Sequence, residues 1–160
     1  MASIHRGPAL QPRTAPNQLV ATRTLRNGAL LLLAAFLLHN GDHLRRGIGV
    51  LTPEVFWAGT VTGLMTLAAI VLVLRGHRLG PPVAVAVGCG MVLGVSVVHL
   101  LPRWSVLSDS LPDGGVDAFT WMAVLCEIAG GLAFGCAGLQ AMRSVARRQR
   151  EDQPAPSRRA

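Results

Sequence analysis

The sequence contains neither lysine nor tyrosine, and it is poor in acidic residues. Arginine supplies all 15 positively charged side chains against 8 Asp and Glu, which gives a formal net charge of +7. Charged residues make up only 14% of the 160 residues, whereas hydrophobic residues make up 51%. Ordinary soluble domains carry about 25% charged residues. This shortage of charge excludes a typical soluble domain and favours a small membrane bundle.

Cysteine is also scarce, with three residues that all lie in apolar segments and form no CxxC pair. This usage excludes a disulfide framework and predicts free thiols that act as small buried hydrophobes. No G-x-S-x-G elbow, HExxH or CxxCH motif occurs either. Because these motifs mark common catalytic and haem-attachment sites, their absence favours a protein that is not an enzyme, without deciding the question.

Four apolar segments dominate the chain, near residues 27–44, 55–74, 82–101 and 118–142. Each is close to the ~20 residues that a helix needs to cross a hydrocarbon core of ~30 Å. We therefore predict an all-α fold, a four-helix transmembrane bundle in the lipid bilayer. Residues 1–26 and 143–160 are rich in Arg and Pro, and they are predicted to form a disordered basic N-terminal tail and a basic C-terminal tail.

Helix-starting signals support this division. Thr52-Pro53-Glu54 combines a capping hydroxyl, a proline at the first helical position and an acid in the first turn. Asp117 is a candidate cap for the fourth span, while Arg75-Gly76 ends the second.

The arginines are unevenly distributed between the two sides of such a bundle. Twelve of them fall in the two tails and the second connection, and only Arg45, Arg46 and Arg103 fall on the other side. Since Lys and Arg favour cytoplasmic loops, both termini are predicted to be cytoplasmic, in the cell membrane. Nucleic-acid binding is not expected, because the basic residues flank apolar spans and do not form a basic surface with stacking aromatics.

A cleaved signal peptide is an alternative for the first span, because basic residues precede the apolar core of residues 28–38. That core runs into Leu37-Leu38-His39-Asn40 without a small-x-small cleavage site. Cleavage would also leave three spans, which contradicts the arginine count. The four-span interpretation is therefore preferred.

Three of the spans carry glycine pairs four residues apart, which are Gly59 and Gly63, Gly90 and Gly94, and Gly131 and Gly135. Small residues at this interval let helix backbones approach closely in a membrane. They predict close packing within the chain or, alternatively, a homo-oligomer or a membrane-protein partner that docks on these faces. A chain with 18 Gly also yields such pairs by chance.

Ionisable residues interrupt the apolar runs at a few positions. His39, Asp42 and His43 share one helix face, because offsets of three and four residues are neighbours on a helix. Counting along the helices puts His39 about 12 Å and Glu127 roughly 14 to 15 Å below the same outer boundary. With His99 near the outer end of the third span, these groups are predicted to converge in the outer half of the bundle.

Several roles remain open for this cluster, because intramembrane ionisable groups are functional candidates by default. His39, His43 and His99 are candidate ligands of a transition metal such as Zn, Cu or Fe, or two of them could ligate haem. His39, Asp42, His43, His99 and Glu127 are alternatively candidates for ligand binding or for a proton relay. A purely structural network that ties the helices together is the remaining interpretation.

The motifs His39-Asn40-Gly41-Asp42-His43-Leu44-Arg45-Arg46-Gly47, Pro53-Glu54-Val55-Phe56-Trp57 and His99-x-x-Pro102-x-Trp104-Ser105 carry a family resemblance. Over about residues 27 to 140 the chain resembles small, uncharacterised four-span membrane proteins of high-G+C Gram-positive bacteria. The resemblance implies the four-span fold and no particular activity.

The sequence thus predicts a multi-pass integral membrane protein with a polar cluster that handles a metal, a ligand or protons. Two other functions remain possible on the sequence alone: an accessory or assembly subunit of a larger membrane complex, and a small lipid-modifying enzyme that uses Glu127 and a histidine as acid and base.

Overall fold

The computed structural model describes residues 16–151, and these residues form helices and connections without a strand. The long helices are α1 (Pro16–Arg46), α2 (Pro53–Leu74), α3 (Gly80–His99) and α5 (Ala118–Glu151); a 3₁₀ turn (Ile48–Val50) precedes α2 and a short α4 (Leu111–Gly114) precedes α5. Each long helix is long and apolar enough to cross a membrane. The predicted all-α four-helix bundle is confirmed.

The predicted helix starts are present as capping hydrogen bonds. Thr52 Oγ1 accepts a hydrogen bond from the backbone N–H of Val55 at 3.2 Å, directly before Pro53. Asp117 Oδ1 accepts one from the backbone N–H of Thr120 at 3.0 Å. Each cap satisfies an N–H that has no partner inside its helix, which is why these helices begin there.

The outer helices extend beyond their apolar runs. α1 begins at Pro16, and not near residue 27, and α5 continues to Glu151, past residue 142. Residues 16–26 and 143–151 are therefore helical where tails were predicted, and residues 1–15 and 152–160 lie outside the described residues. Leu25 is buried in the core cluster, which explains why the packed part of α1 begins before residue 27. Residues 143–151 are largely exposed, and their Arg, Ala, Gln and Glu favour a helix without packing.

The centre of the bundle is α5, which packs closely against both α1 and α3. It runs antiparallel to each of them, and glycines line both contacts. A Cβ added to Gly88 would lie 2.7 Å from the carbonyl oxygen of Gly131, and one added to Gly130 would lie 3.1 Å from the Cα of Leu32. Helix association in lipid depends on such close approach, because lipid supplies no hydrophobic drive between helices.

The glycine pairs predicted from spacing divide into two groups. Gly131 and Gly135 lie in the contact between α5 and α3, and Gly63 lies against Phe36 of α1, which confirms close packing at these three positions. Around Gly59, Gly90 and Gly94 a Cβ would find no atom within 4 Å, so the predicted close packing within the chain is wrong at these positions.

The remaining long helix, α2, contacts α1 and α3 much less extensively. Near its start Thr52 Oγ1 donates to the carbonyl of Val106 at 2.6 Å, and near its end Val73 packs against Gly80. Between these two points Gly63 lies against Phe36 of α1, and Thr66, Ala69 and Ile70 are buried. Beside Gly59, nearer its start, α2 leaves a cavity that is described below.

The surface of the four helices carries many exposed large apolar side chains, including Leu31, Leu64, Leu93 and Leu132. Cys89 and Cys136 are exposed on this surface as well, so these two thiols are free as predicted but not buried. Contiguous apolar surface of this kind marks contact with a membrane or a partner. Which end of the bundle faces the cytoplasm remains a prediction from the arginine count.

Candidate functional site

Three histidines meet at the end of the bundle where α1 and α3 end and α2 and α5 begin, which we call the histidine end. His39 and His43 lie one turn apart on α1, and His99 is the last residue of α3. Ring centroids are 4.6 Å apart for His39 and His43, 4.8 Å for His39 and His99, and 5.7 Å for His43 and His99. One ring nitrogen of each histidine lies within 4.8 Å of the others.

The deepest member of the cluster is His39, which pairs with Glu127 of α5. His39 is 5% exposed and Glu127 2%, and the imidazole Nδ1 contacts the carboxylate Oε2 directly. Gly130 lies one turn from Glu127, and α5 lies close to α1 there, at Leu32. The carboxylate of Glu127 therefore reaches the imidazole ring of His39. The other ring nitrogen of His39, Nε2, is buried and has no hydrogen-bond partner among the described residues.

The loop after α3 folds back over its own end and supplies Asp109. The backbone N–H of Asp109 donates to the carbonyl of Val98 at 3.0 Å, and its own carbonyl accepts from His99 Nδ1 at 3.1 Å. Because a carbonyl only accepts, His99 carries its proton on Nδ1 and its Nε2 keeps a lone pair. Burial alone raises the pKa of Asp109, but the hydrogen bond and charge of Arg46 lower the pKa below its ordinary value.

Arg46 connects α1 to this loop. Its Nη2 donates to the Asp109 carboxylate at 2.8 Å and to His43 Nδ1 at 3.0 Å. A guanidinium only donates hydrogen bonds, so His43 Nδ1 accepts and the ring proton sits on Nε2. All three histidines therefore hold Nδ1 against another group and leave Nε2 as the nitrogen that can face a ligand.

Asp42 lies beside the histidines but takes part in a different network. Its carboxylate is fully buried and pairs with Arg45 at 2.8 Å and Arg46 at 3.2 Å. Arg45 continues to Asp117 at 2.9 Å and to the Thr120 hydroxyl at 3.2 Å, so it ties the end of α1 to the start of α5. Asp42 is thus positioned to orient the two arginines, and it is not a member of the histidine cluster.

The ion-pair network that surrounds the histidines has more carboxylates than guanidiniums among the described residues, namely Asp42, Asp109, Asp117 and Glu127 against Arg45 and Arg46. With neutral imidazoles this leaves an excess of two negative charges. Glu127 is the carboxylate that no described arginine contacts, and its partner is His39. Charges in a partly buried site are weakly screened by salt, so the excess favours a bound cation.

A cavity of about 620 Å³ reaches the cluster from one side. His39, His43, His99 and Glu127 all line it, together with apolar residues of α1, α2 and α3.

Most of the predicted site residues therefore converge. His39, His43, His99 and Glu127 come together from three helices, as the depth count along the helices predicted. Asp109 was missed as a partner because it acts only after the loop folds back. The feature of the sequence that could have identified Asp109 is an acidic residue in the short connection that follows a helix ending in histidine.

The fold and site define the class: the four apolar helices are compatible with a multi-pass membrane protein, and a three-histidine cluster lies inside the bundle. Comparison with protein-family models, with curated proteins and with solved structures found no match to this chain. The resemblance to four-span proteins of Gram-positive bacteria stays a prediction, and the chemistry of the site has to be argued from its geometry.

Proposed function

We propose that this protein is a multi-pass protein of the cell membrane that binds one divalent transition-metal ion through His39, His43 and His99. The observation that carries the proposal is the set of three ring nitrogens within 4.8 Å of one another. Zn²⁺ binds imidazole nitrogen at roughly 2.0 to 2.1 Å, so two nitrogens of a tetrahedral site lie about 3.3 to 3.4 Å apart, and side-chain movements of about 1 to 2 Å bring the three nitrogens to that separation. Neutral imidazole suits Zn, Cu and Fe.

An ion explains the cluster better than a purely structural network does. Buried polar atoms in a structural network are almost always hydrogen-bonded. His39 Nε2 is buried without a partner, while its Nδ1 is held by Glu127. A carboxylate that fixes one nitrogen and leaves the other free is the usual arrangement around a metal-ligating histidine.

A single ion also fits better than haem. Two axial histidines of a haem stand on opposite faces of the macrocycle, each with its nitrogen about 2 Å from the iron. The ring centroids at the histidine end are 4.6 to 5.7 Å apart, which leaves no space for a flat macrocycle between two rings.

Three protein ligands leave the fourth position of a tetrahedral ion open, which is typical of zinc sites that bind a water or a substrate. The excess of two negative charges is offset by a divalent ion. Arg46 donates to His43 Nδ1, so neutral His43 binds an ion through Nε2 only after its ring proton moves to Nδ1 and the contact with Arg46 opens. Because protons compete with the ion for the imidazole nitrogens, the affinity is expected to fall as the pH is lowered.

The experiment is a titration of metal-free protein in detergent with Zn²⁺, and with Co²⁺ as a spectroscopic probe. We expect one ion per chain, visible Co²⁺ bands of tetrahedral nitrogen coordination, and no Soret band. His39→Ala, His43→Ala and His99→Ala should each weaken binding at least tenfold. His77→Ala is the matched control, because His77 lies in the connection between α2 and α3, outside the cluster.

Two results would overturn the proposal. One is wild-type protein that holds no stoichiometric metal while its thermal unfolding shows that it is folded. The other is a His39→Ala, His99→Ala double variant that binds Zn²⁺ as tightly as the His77→Ala control. Either result would leave the cluster as a structural network.

A further inference from the structure

The cavity beside the histidine cluster extends along α2 and α3. Along α2 it extends from Val55 to Leu67, which is roughly 18 Å at 1.5 Å per residue. Along α3 it extends from Gly90 to His99, or roughly 14 Å. Its volume of about 620 Å³ falls within the range of roughly 300 to 1,000 Å³ that holds small molecules. The cavity is therefore elongated along the bundle, with the histidines at one end.

Polar groups along the walls bond within their own helices. The hydroxyls of Thr60 and Thr62 each donate to a carbonyl of α2 at 2.8 Å, and the amide of Asn40 donates to the carbonyl of Phe36 at 2.8 Å. The histidine cluster with Glu127 is the charged and most polar part of the lining. An occupant that fits has one polar end and an apolar remainder.

Glycines give the cavity its width. Gly59 of α2 and Gly90 and Gly94 of α3 line it, and a Cβ on any of the three would meet no atom within 4 Å. Protein interiors normally pack without voids of this size, because lining atoms lose dispersion contacts. The bundle packs α5 tightly against α1 and α3 and leaves this open space beside α2.

The sides of the cavity lie within the apolar spans. Leu44, Phe56, Leu64 and Val97 line it and are also exposed on the bundle surface. These side chains lie on the outer surface of the apolar helices, so the cavity opens beside α2 toward the lipid that would surround them. A molecule dissolved in the bilayer can enter it without crossing water.

The charge of the metal-loaded site determines which head group an occupant of the cavity can have. The divalent ion offsets the two excess negative charges of the ion-pair network around the histidines, which leaves this network neutral. An anionic head group would restore a net charge in an apolar setting, where an unpaired charge is costly. A hydroxyl oxygen can occupy the open fourth position without that cost.

We propose that this cavity binds a single-chain lipid with an uncharged hydroxyl head group, a long-chain alcohol, whose oxygen contacts the ion and whose chain lies between α2 and α3. The inference rests on the proposed metal site and adds the class of ligand. The ligand enters sideways from the membrane and fills the space that the three glycines leave open.

The test uses full-length protein loaded with Zn²⁺ in detergent and a photoreactive hexadecanol with a diazirine on its chain. We expect saturable labelling of residues on α2 and α3 that line the cavity. Unlabelled hexadecanol should compete, and butanol should not. Gly90→Leu combined with Gly94→Leu fills the cavity and should reduce labelling at least tenfold, while one Zn²⁺ per chain is retained. Gly59→Leu does the same from the opposite wall.

Gly41→Leu is the matched control, because Gly41 lies between the ligands His39 and His43 on α1 but outside the cavity, and a Cβ there meets nothing within 4 Å. It should keep both labelling and zinc. Since retained zinc shows that a variant is folded, labelling that survives in both Gly59→Leu and the α3 double variant overturns the lipid proposal and leaves the metal site standing. Stronger labelling of the same residues by a photoreactive palmitate overturns the uncharged head group. Wild-type protein without zinc overturns the proposed function itself.

Discussion

The two faces of α3 behave in opposite ways. One face packs on α5 so closely that Gly88 leaves no room for a methyl group, because an added Cβ would lie 2.7 Å from backbone atoms of Gly131 and Gly135. The other face carries Gly90 and Gly94, where an added Cβ meets nothing within 4 Å. The same residue type therefore closes one interface and opens a cavity at the other. Glycine spacing alone does not say which of the two it does.

This contrast separates a structural half of the bundle from a functional half. α5 holds α1 and α3 in fixed register, and this register carries Glu127 to His39. α2 makes fewer contacts, and it packs on its neighbours at Gly63 and from Thr66 to Val73 but leaves open space beside Gly59. Close contacts thus position His39 and Glu127, while the looser helix leaves a cavity beside them.

The largest expected effect comes from a substitution in the closely packed contact between α3 and α5. Gly88→Ala forces the backbones of α3 and α5 apart, and overpacking of this kind costs about 1 to 3 kcal/mol. We expect a clearly lower midpoint of thermal unfolding in detergent, measured by the loss of helical circular dichroism.

Gly90→Ala, two residues along the same helix, is the matched control. It adds the same methyl group in open space, and in a helix Ala is more favourable than Gly by about 0.5 to 1 kcal/mol. Its midpoint should be unchanged or raised. Equal destabilisation by both variants would show that the two faces of α3 do not differ.

The next largest effect concerns the contact between Glu127 of α5 and His39 of α1. Glu127→Gln keeps the size of the side chain but removes its charge, and loss of such a partner of a metal-ligating histidine costs about 10- to 100-fold in metal affinity. The measurement is the Zn²⁺ dissociation constant by competition with a chelator. Asp113→Asn is the control, since Asp113 is also at the histidine end but binds the backbone N–H of Arg103. Unchanged affinity in Glu127→Gln would separate Glu127 from the site.

The smallest effect concerns the attachment of α1 to α5 outside the membrane span. Hydrogen bonding to the backbone N–H of Thr120, and then to Arg45, lowers the pKa of Asp117 below its ordinary value. A lowered pKa in the folded state adds stability above the ordinary pKa of Asp, near 3.9, and this stability is lost as the pH falls through the lower folded value. We expect hydrogen exchange of the first turn of α5 to rise below about pH 4.

Asp117→Asn should remove that pH dependence and leave the exchange of α2 as it was. If the pH profile of the variant matches that of the wild type, another group controls the start of α5.

Much of the fold was accessible from the sequence. The four apolar runs predicted the spans, and Thr52 and Asp117 predicted helix starts, because hydropathy and capping are local properties. The convergence of His39 and Glu127 followed from counting residues along two antiparallel helices from the same boundary. The true ends of α1 and α5 did not follow from hydropathy, because both helices continue through basic residues beyond their apolar runs.

Only the tertiary structure determined the partners within the site. Asp109 reaches His99 after the loop folds back, Asp42 turns to the arginines, and α2 stands away from α3 beside Gly90 and Gly94. These outcomes depend on which faces of the helices meet, and a residue's type and spacing do not encode that. By itself the sequence determined how many helices are long and apolar enough to cross a membrane and where the histidines lie along them, since length and hydropathy set both. Packing determined which glycines make contact and which leave open space.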